Sequence, residues 1–93
     1  MTEPEPYELV LTPPATRALR DKLPEPVAIA VSEFLTTALV GSPHRVGKAL
    51  RDDLAGIWSA RRGTYRVLYR INEPEREVVV VRIEHRRDVY RPL

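Results

Sequence analysis

Residues 64–71 read Thr-Tyr-Arg-Val-Leu-Tyr-Arg-Ile, and a strand sends alternate side chains to opposite faces, so Tyr65, Val67, Tyr69 and Ile71 point one way and Arg66, Leu68 and Arg70 the other. One face asks to be covered and the other is open and basic. Ile57–Arg61 and Glu77–Glu84 are predicted as flanking strands, the latter containing four successive valines that place it inside a sheet. Putting Trp58 and Ala60 on the covered face leaves Ile57, Ser59 and Arg61 open. Putting Val79, Val81 and Ile83 there leaves Arg82 and Glu84 open. Arg62-Gly63 and Asn72-Glu73-Pro74-Glu75-Arg76 are the expected hairpin loops. Arginine therefore recurs on one uncovered surface in three consecutive strands, which points to a site for an anion.

The cover comes from the first half of the chain. Tyr7–Thr12 alternates as a short strand, and Thr12-Pro13-Pro14 starts a helix, with the hydroxyl as N-cap and proline where a missing N–H is harmless. Ala15, Ala18, Leu19 and Leu23 follow at helical spacing until Pro24-Glu25-Pro26 breaks the helix and opens a second. Val27, Ala30, Val31, Phe34, Leu35, Ala38 and Leu39 form that helix's apolar stripe, stopped by Gly41 and Pro43. Ser42–Gly56 is expected to be a structured basic loop anchored by Val46, Leu50 and Leu54. The expected fold is α+β: an N-terminal strand, two antiparallel helices, then a three-stranded antiparallel meander, with the helices on one sheet face. Residues 1–93 form one domain, with 1–6 a flexible N-terminal segment.

Composition narrows the chemistry. With 93 residues, 43% of them apolar, the chain supports one core. It has no cysteine and only two histidines, so no metal site and no cofactor is expected. No apolar run approaches the roughly 20 residues of a membrane span, and the acids and prolines of residues 3–6 are unlike a signal peptide. A cytoplasmic protein with no membrane partner is expected. Twelve of the fifteen basic residues lie after residue 43, and thirteen of the fifteen are arginine. Arginine favours bidentate recognition of phosphate or carboxylate, so the expected partner is a nucleic acid or an acidic protein segment.

Gly47-Lys48-Ala49-Leu50-Arg51, then Gly56-Ile57-Trp58-Ser59-Ala60-Arg61-Arg62-Gly63-Thr64-Tyr65-Arg66-Val67-Leu68-Tyr69-Arg70-Ile71, then His85-Arg86-Arg87-Asp88-Val89-Tyr90-Arg91 resemble the RelE family of bacterial toxins in order and spacing. The resemblance covers nearly the whole chain. It implies the toxin of a type II toxin–antitoxin module: an endoribonuclease that cuts mRNA in the ribosomal A site and is blocked by a cognate antitoxin. It further implies that the toxin–antitoxin complex binds operator DNA through the antitoxin. The expected chemistry is metal-independent attack of a ribose 2′-OH on the adjacent phosphorus, which needs a base, charge stabilisation and a proton donor.

By the same resemblance Arg66 aligns with an arginine that stabilises the phosphorane, and Arg61 with a second phosphate contact. Arg86 or His85 occupies the place of a further catalytic basic residue, and Tyr90 that of a tyrosine that stacks on a base or contacts the nucleophile. Lys48, Arg51, Arg62 and Arg70 are expected to hold RNA backbone. The sequence departs from the family where the best-known member carries two lysines on the open face; here those places are Ile57 and Ser59. His85 is then the natural proton-transfer candidate, as base or acid, against a structural reading as a strand cap. A ParE-like toxin acting on DNA gyrase without RNA cleavage is the alternative. A module that only receives an acidic peptide on its basic face is a third reading.

Overall fold

A computed structural model of the chain describes residues 5–85. Strand β1 (Glu8–Leu11) leads through Thr12 into helix α1 (Pro13–Arg17). The Thr12 hydroxyl accepts from the Ala15 N–H at 3.4 Å, as the sequence predicts for an N-cap, and donates to the Val81 carbonyl at 2.8 Å. One side chain thus starts a helix and ties it to the sheet. α1 widens into a π-helical turn at Ala18–Lys22, and α2 (Glu25–Phe34) into another at Leu35–Leu39. Thr36 and Thr37 explain the second: their hydroxyls donate to the Ser32 and Glu33 carbonyls at 3.0 and 2.6 Å and compete with the backbone ladder.

The segment expected as a structured basic loop contains regular elements. It forms a short helix, α3 (Pro43–Val46), a two-residue strand, β2 (Lys48–Ala49), and a 3₁₀ turn at Asp52–Leu54. Strands β3 (Trp58–Arg62), β4 (Tyr65–Asn72) and β5 (Glu77–His85) follow. The sheet order is β1-β5-β4-β3-β2, antiparallel except that β1 runs parallel to β5. The three-stranded meander is present, but inside a mixed five-stranded sheet. Because β1 and β2 occupy opposite edges, the intervening helices must cross about 19 Å of sheet, which is why they cover one face.

Ala15, Ala18, Val31, Phe34, Leu35 and Leu39 of the helices pack against Ala60, Val67, Tyr69, Val78, Val80 and Ile83. Val78 and Val80, rather than Val79 and Val81, take the covered side. Leu68 pairs with Arg82 but Tyr69 with Val80, so Val81 is the extra residue of a bulge, and its carbonyl is the one bonded by Thr12. Beyond the bulge the face changes by one residue, so Ile83 is covered and Arg82 and Glu84 lie opposite, as expected. No described helix is long and apolar enough to cross a membrane.

Candidate functional site

The uncovered face carries a cleft of about 640 Å³ where β2, α3 and the β3–β4 ribbon meet, lined by Arg45, Lys48, Leu50, Ser59, Arg61 and Arg66 along with Val46 and Gly47. Strand register builds it. Lys48 is the cross-strand partner of Ser59, and Arg61 that of Arg66, so two rows of side chains stand on one face. Like charges directly opposite each other are unfavourable unless something negative lies between them. Glu84 is the next residue across from Arg66, yet its carboxylate is held by Arg82 at 3.1 Å. Among the described residues Arg45, Lys48, Arg61 and Arg66 have no ion-pair partner. Four such cations in one recess make it strongly basic, an arrangement whose chemistry suits a polyanion.

The cleft rests on a buried tyrosine. Tyr69 exposes none of its surface, donates its hydroxyl to the Pro43 carbonyl at 2.6 Å, and has a pKa pushed by burial from 10.0 up to about 12. Gly47 passes directly over that hydroxyl; a Cβ there would overlap it and lie 2.8 Å from the Ser59 carbonyl oxygen. Glycine is needed here for close approach, and it lets β2 bring Lys48 into the cleft. Trp58 stacks on Tyr69 at 6.4 Å and meets the His44 edge at 5.4 Å. His44 also reaches Glu73 at 3.1 Å, and Glu73 accepts from the Tyr7 hydroxyl at 2.8 Å, raising the Tyr7 pKa chiefly through that hydrogen bond. This network ties α3 to the β4–β5 turn at the far end of the sheet.

Of the residues singled out in the sequence, Lys48, Arg61 and Arg66 converge in the cleft. Arg70 lies on the same face, opposite Val79, and Arg51 is exposed just after β2; neither lines the cleft. Arg62 is on the other side. β3 continues through it to a two-residue turn at Gly63-Thr64, with Gly63 at φ 61°, and its guanidinium sits 4.7 Å from the Phe34 ring centroid. There it lines a second groove, of about 630 Å³, with Pro26, Val27, Glu33 and Thr64. His85 pairs with Tyr65, their rings 5.0 Å apart edge to face, on the face opposite Arg66. Arg86 and Tyr90 lie outside the described residues. Arg45 is the cleft residue the sequence reading passed over; Ser42-Pro43, a helix-start signal three residues before it, was the clue to α3.

A mixed sheet with helices on one face and, on the other, a cluster of cations without ion-pair partners among the described residues defines a small α+β protein with a basic cleft. The sequence model described as "ParE toxin of type II toxin-antitoxin system, parDE" matches residues 9–90. The chain belongs to this family, within the RelE/ParE superfamily of type II toxins. It is similar to the toxin RelG of Mycobacterium tuberculosis, 51% identical over 92% of this chain and 98% of that one. It is likewise similar to the toxin RelE of the same organism, 44% identical over 98% of this chain and 93% of that one. Among solved structures it matches the RelBE2 toxin–antitoxin complex of M. tuberculosis with TM-score 0.84 at 50% identity, over 88% of this chain and 100% of that one. It shares the fold of the intact E. coli RelBE complex, with TM-score 0.72 at 21% identity, over 85% of this chain and 95% of that one.

Proposed function

We propose that this toxin is a metal-independent, ribosome-dependent endoribonuclease of the RelE kind, cleaving mRNA in the ribosomal A site by 2′-OH attack. The observation that carries the reading is the Arg61–Arg66 pair, two cross-strand cations without carboxylate partners among the described residues, inside a cleft that also holds Arg45 and Lys48. Two guanidiniums so placed grip the non-bridging oxygens of one phosphodiester and take up the charge that grows on them as the phosphorane forms. Arg45 and Lys48 extend the contact along the RNA backbone, and Arg70 continues it across the sheet. The nearby relatives named RelG and RelE support RNA as the polyanion. The toxin acts in the cytoplasm, and a cognate antitoxin neutralises it by covering the basic face. The complex of the two binds operator DNA through the antitoxin.

The ParE description of the matching family favours one second reading, a toxin that acts on DNA gyrase. Inducing the protein alone and pulse labelling separates the two. Under the endoribonuclease reading leucine incorporation stops within minutes and primer extension finds new 5′-OH ends inside coding regions. Continued leucine incorporation with failing DNA supercoiling establishes the gyrase reading instead.

A further inference from the structure

We propose that Lys48 is the proton donor to the leaving 5′-oxygen in this cleavage, an assignment that rests on the endoribonuclease reading. Among the described residues every other ionisable side chain lining the cleft is an arginine, namely Arg45, Arg61 and Arg66. A guanidinium is a far weaker acid than an alkylammonium and parts with its proton reluctantly, whereas an alkylammonium is a ready donor to an alkoxide-like oxygen. His85, the other candidate for proton transfer among the described residues, pairs with Tyr65 on the opposite face of the sheet. Among the described residues Lys48 is therefore the cleft side chain suited to delivering a proton.

Register gives the donor its position. Lys48 stands directly across from Ser59, and Ser59 precedes Arg61 by two residues on the same face of β3. The Lys48–Ser59 row is thus about 7 Å along the strand from the Arg61–Arg66 row, a gap that the four-carbon stem of lysine spans. A phosphodiester gripped by the arginine pair has its entering and leaving oxygens on opposite sides of phosphorus. With that axis lying along the strands, the leaving oxygen comes to the side of the Lys48–Ser59 row. An ammonium holds a proton before reaction begins, so it matches the oxygen that must gain one.

The 2′-oxygen loses its proton to a solvent water and forms a bond to phosphorus. The bond from phosphorus to the 5′-oxygen breaks with its electron pair on that oxygen, which takes a proton from Lys48 Nζ. The products are a 2′,3′-cyclic phosphate and a 5′-OH, and Lys48 regains its proton from solvent. Ser59, small and hydroxylated, leaves room for the lysine to lie over β3 where a longer side chain would displace it.

The test compares two mRNAs on programmed ribosomes, one with the ordinary linkage at the cleavage position and one with sulfur in place of the bridging 5′-oxygen. A thiolate leaves without being protonated. Lys48→Arg keeps the positive charge and the reach but surrenders the ready donor. The expected result is a single-turnover rate at least roughly 10²-fold below wild type on the oxygen substrate and equal to wild type on the sulfur substrate. Equal defects on both substrates overturn the assignment, since Lys48 then only binds or positions. So does a Lys48→Arg variant that cleaves the oxygen substrate at the wild-type rate. If the unsubstituted toxin cleaves neither RNA, the endoribonuclease reading itself falls and the assignment with it.

Discussion

Gly47→Ala is a one-carbon change whose effect can be worked out from the packing around it. The new methyl overlaps the Tyr69 hydroxyl and lies 2.8 Å from the Ser59 carbonyl oxygen. If Tyr69 yields, its 2.6 Å bond to the Pro43 carbonyl breaks inside the core, at about 1–3 kcal/mol for the stranded polar atoms. If β2 yields, overpacking and the loss of a short strand's pairing cost about 1–3 kcal/mol. Both must give somewhat, so the expected loss is about 2–4 kcal/mol, or roughly 10–25 °C in melting temperature for a domain of this size. Trp58 is the sole tryptophan and stacks on Tyr69, so its fluorescence during urea unfolding reads the relevant region. The mechanism is steric conflict with one oxygen, and it predicts a coupling. Tyr69→Phe removes that oxygen, so the double variant should be more stable than the sum of the two losses by about 1 kcal/mol or more. Additive losses, or a Gly47→Ala protein within about 0.5 kcal/mol of wild type, would refute the reasoning.

Arg66→Ala should leave the melting temperature nearly unchanged while lowering cleavage by roughly 10²–10³-fold, the scale for removing one stabilising donor, with a smaller loss in Arg61→Ala; single-turnover assays on ribosomes read both. Stability should also fall at alkaline pH. Tyr69 keeps its proton to about pH 12 in the folded state against 10.0 ordinarily, so its contribution is complete below pH 10 and lost as pH rises through 12. That loss amounts to roughly 2–3 kcal/mol at most, and urea unfolding across this range should find a flatter profile in Tyr69→Phe. Finally, the affinity of a short single-stranded RNA should fall linearly with the logarithm of salt concentration, and Arg45→Ala should reduce the slope by about 0.7, one phosphate contact. An unchanged slope would take Arg45 out of the binding surface.

The sequence made the covering helices plain because Val31, Phe34, Leu35 and Leu39 repeat at a helical period and all four are buried. β4 was equally plain, because its large and basic residues alternate. The valines at 78–81 do not alternate, so nothing in them marks which face is covered, and a bulge then shifts the face midway. Arg61 and Arg62 look interchangeable in sequence, yet continuing β3 by one residue puts them on opposite faces, one toward the cleft and one over Phe34. β2 is only two residues long and is specified by register with β3 and by the space over Gly47, neither of which is a local signal. The pairing of β1 with β5 is equally invisible locally, because it joins residues at opposite ends of the described chain.

That last pairing also sets the order in which the protein can come into being. β5 is the last described strand in sequence but lies second in the sheet, between β1 and β4. Until it is made, β1 has no neighbour, Thr12 has no Val81 carbonyl to bond 69 residues away, and the helices lack Val78 and Val80 to cover. A nascent chain ending at β4 therefore has the β2–β3–β4 strands and part of the surface its helices cover, but leaves β1 unpaired. The two cleft arginines belong to β3 and β4, strands that gain their final support only when β5 closes the sheet. Closure over so long a span is slow compared with local helix formation. Synthesis thus passes through an interval, set by the topology of one strand, in which the strands that line the cleft exist and the sheet that supports them is not yet closed.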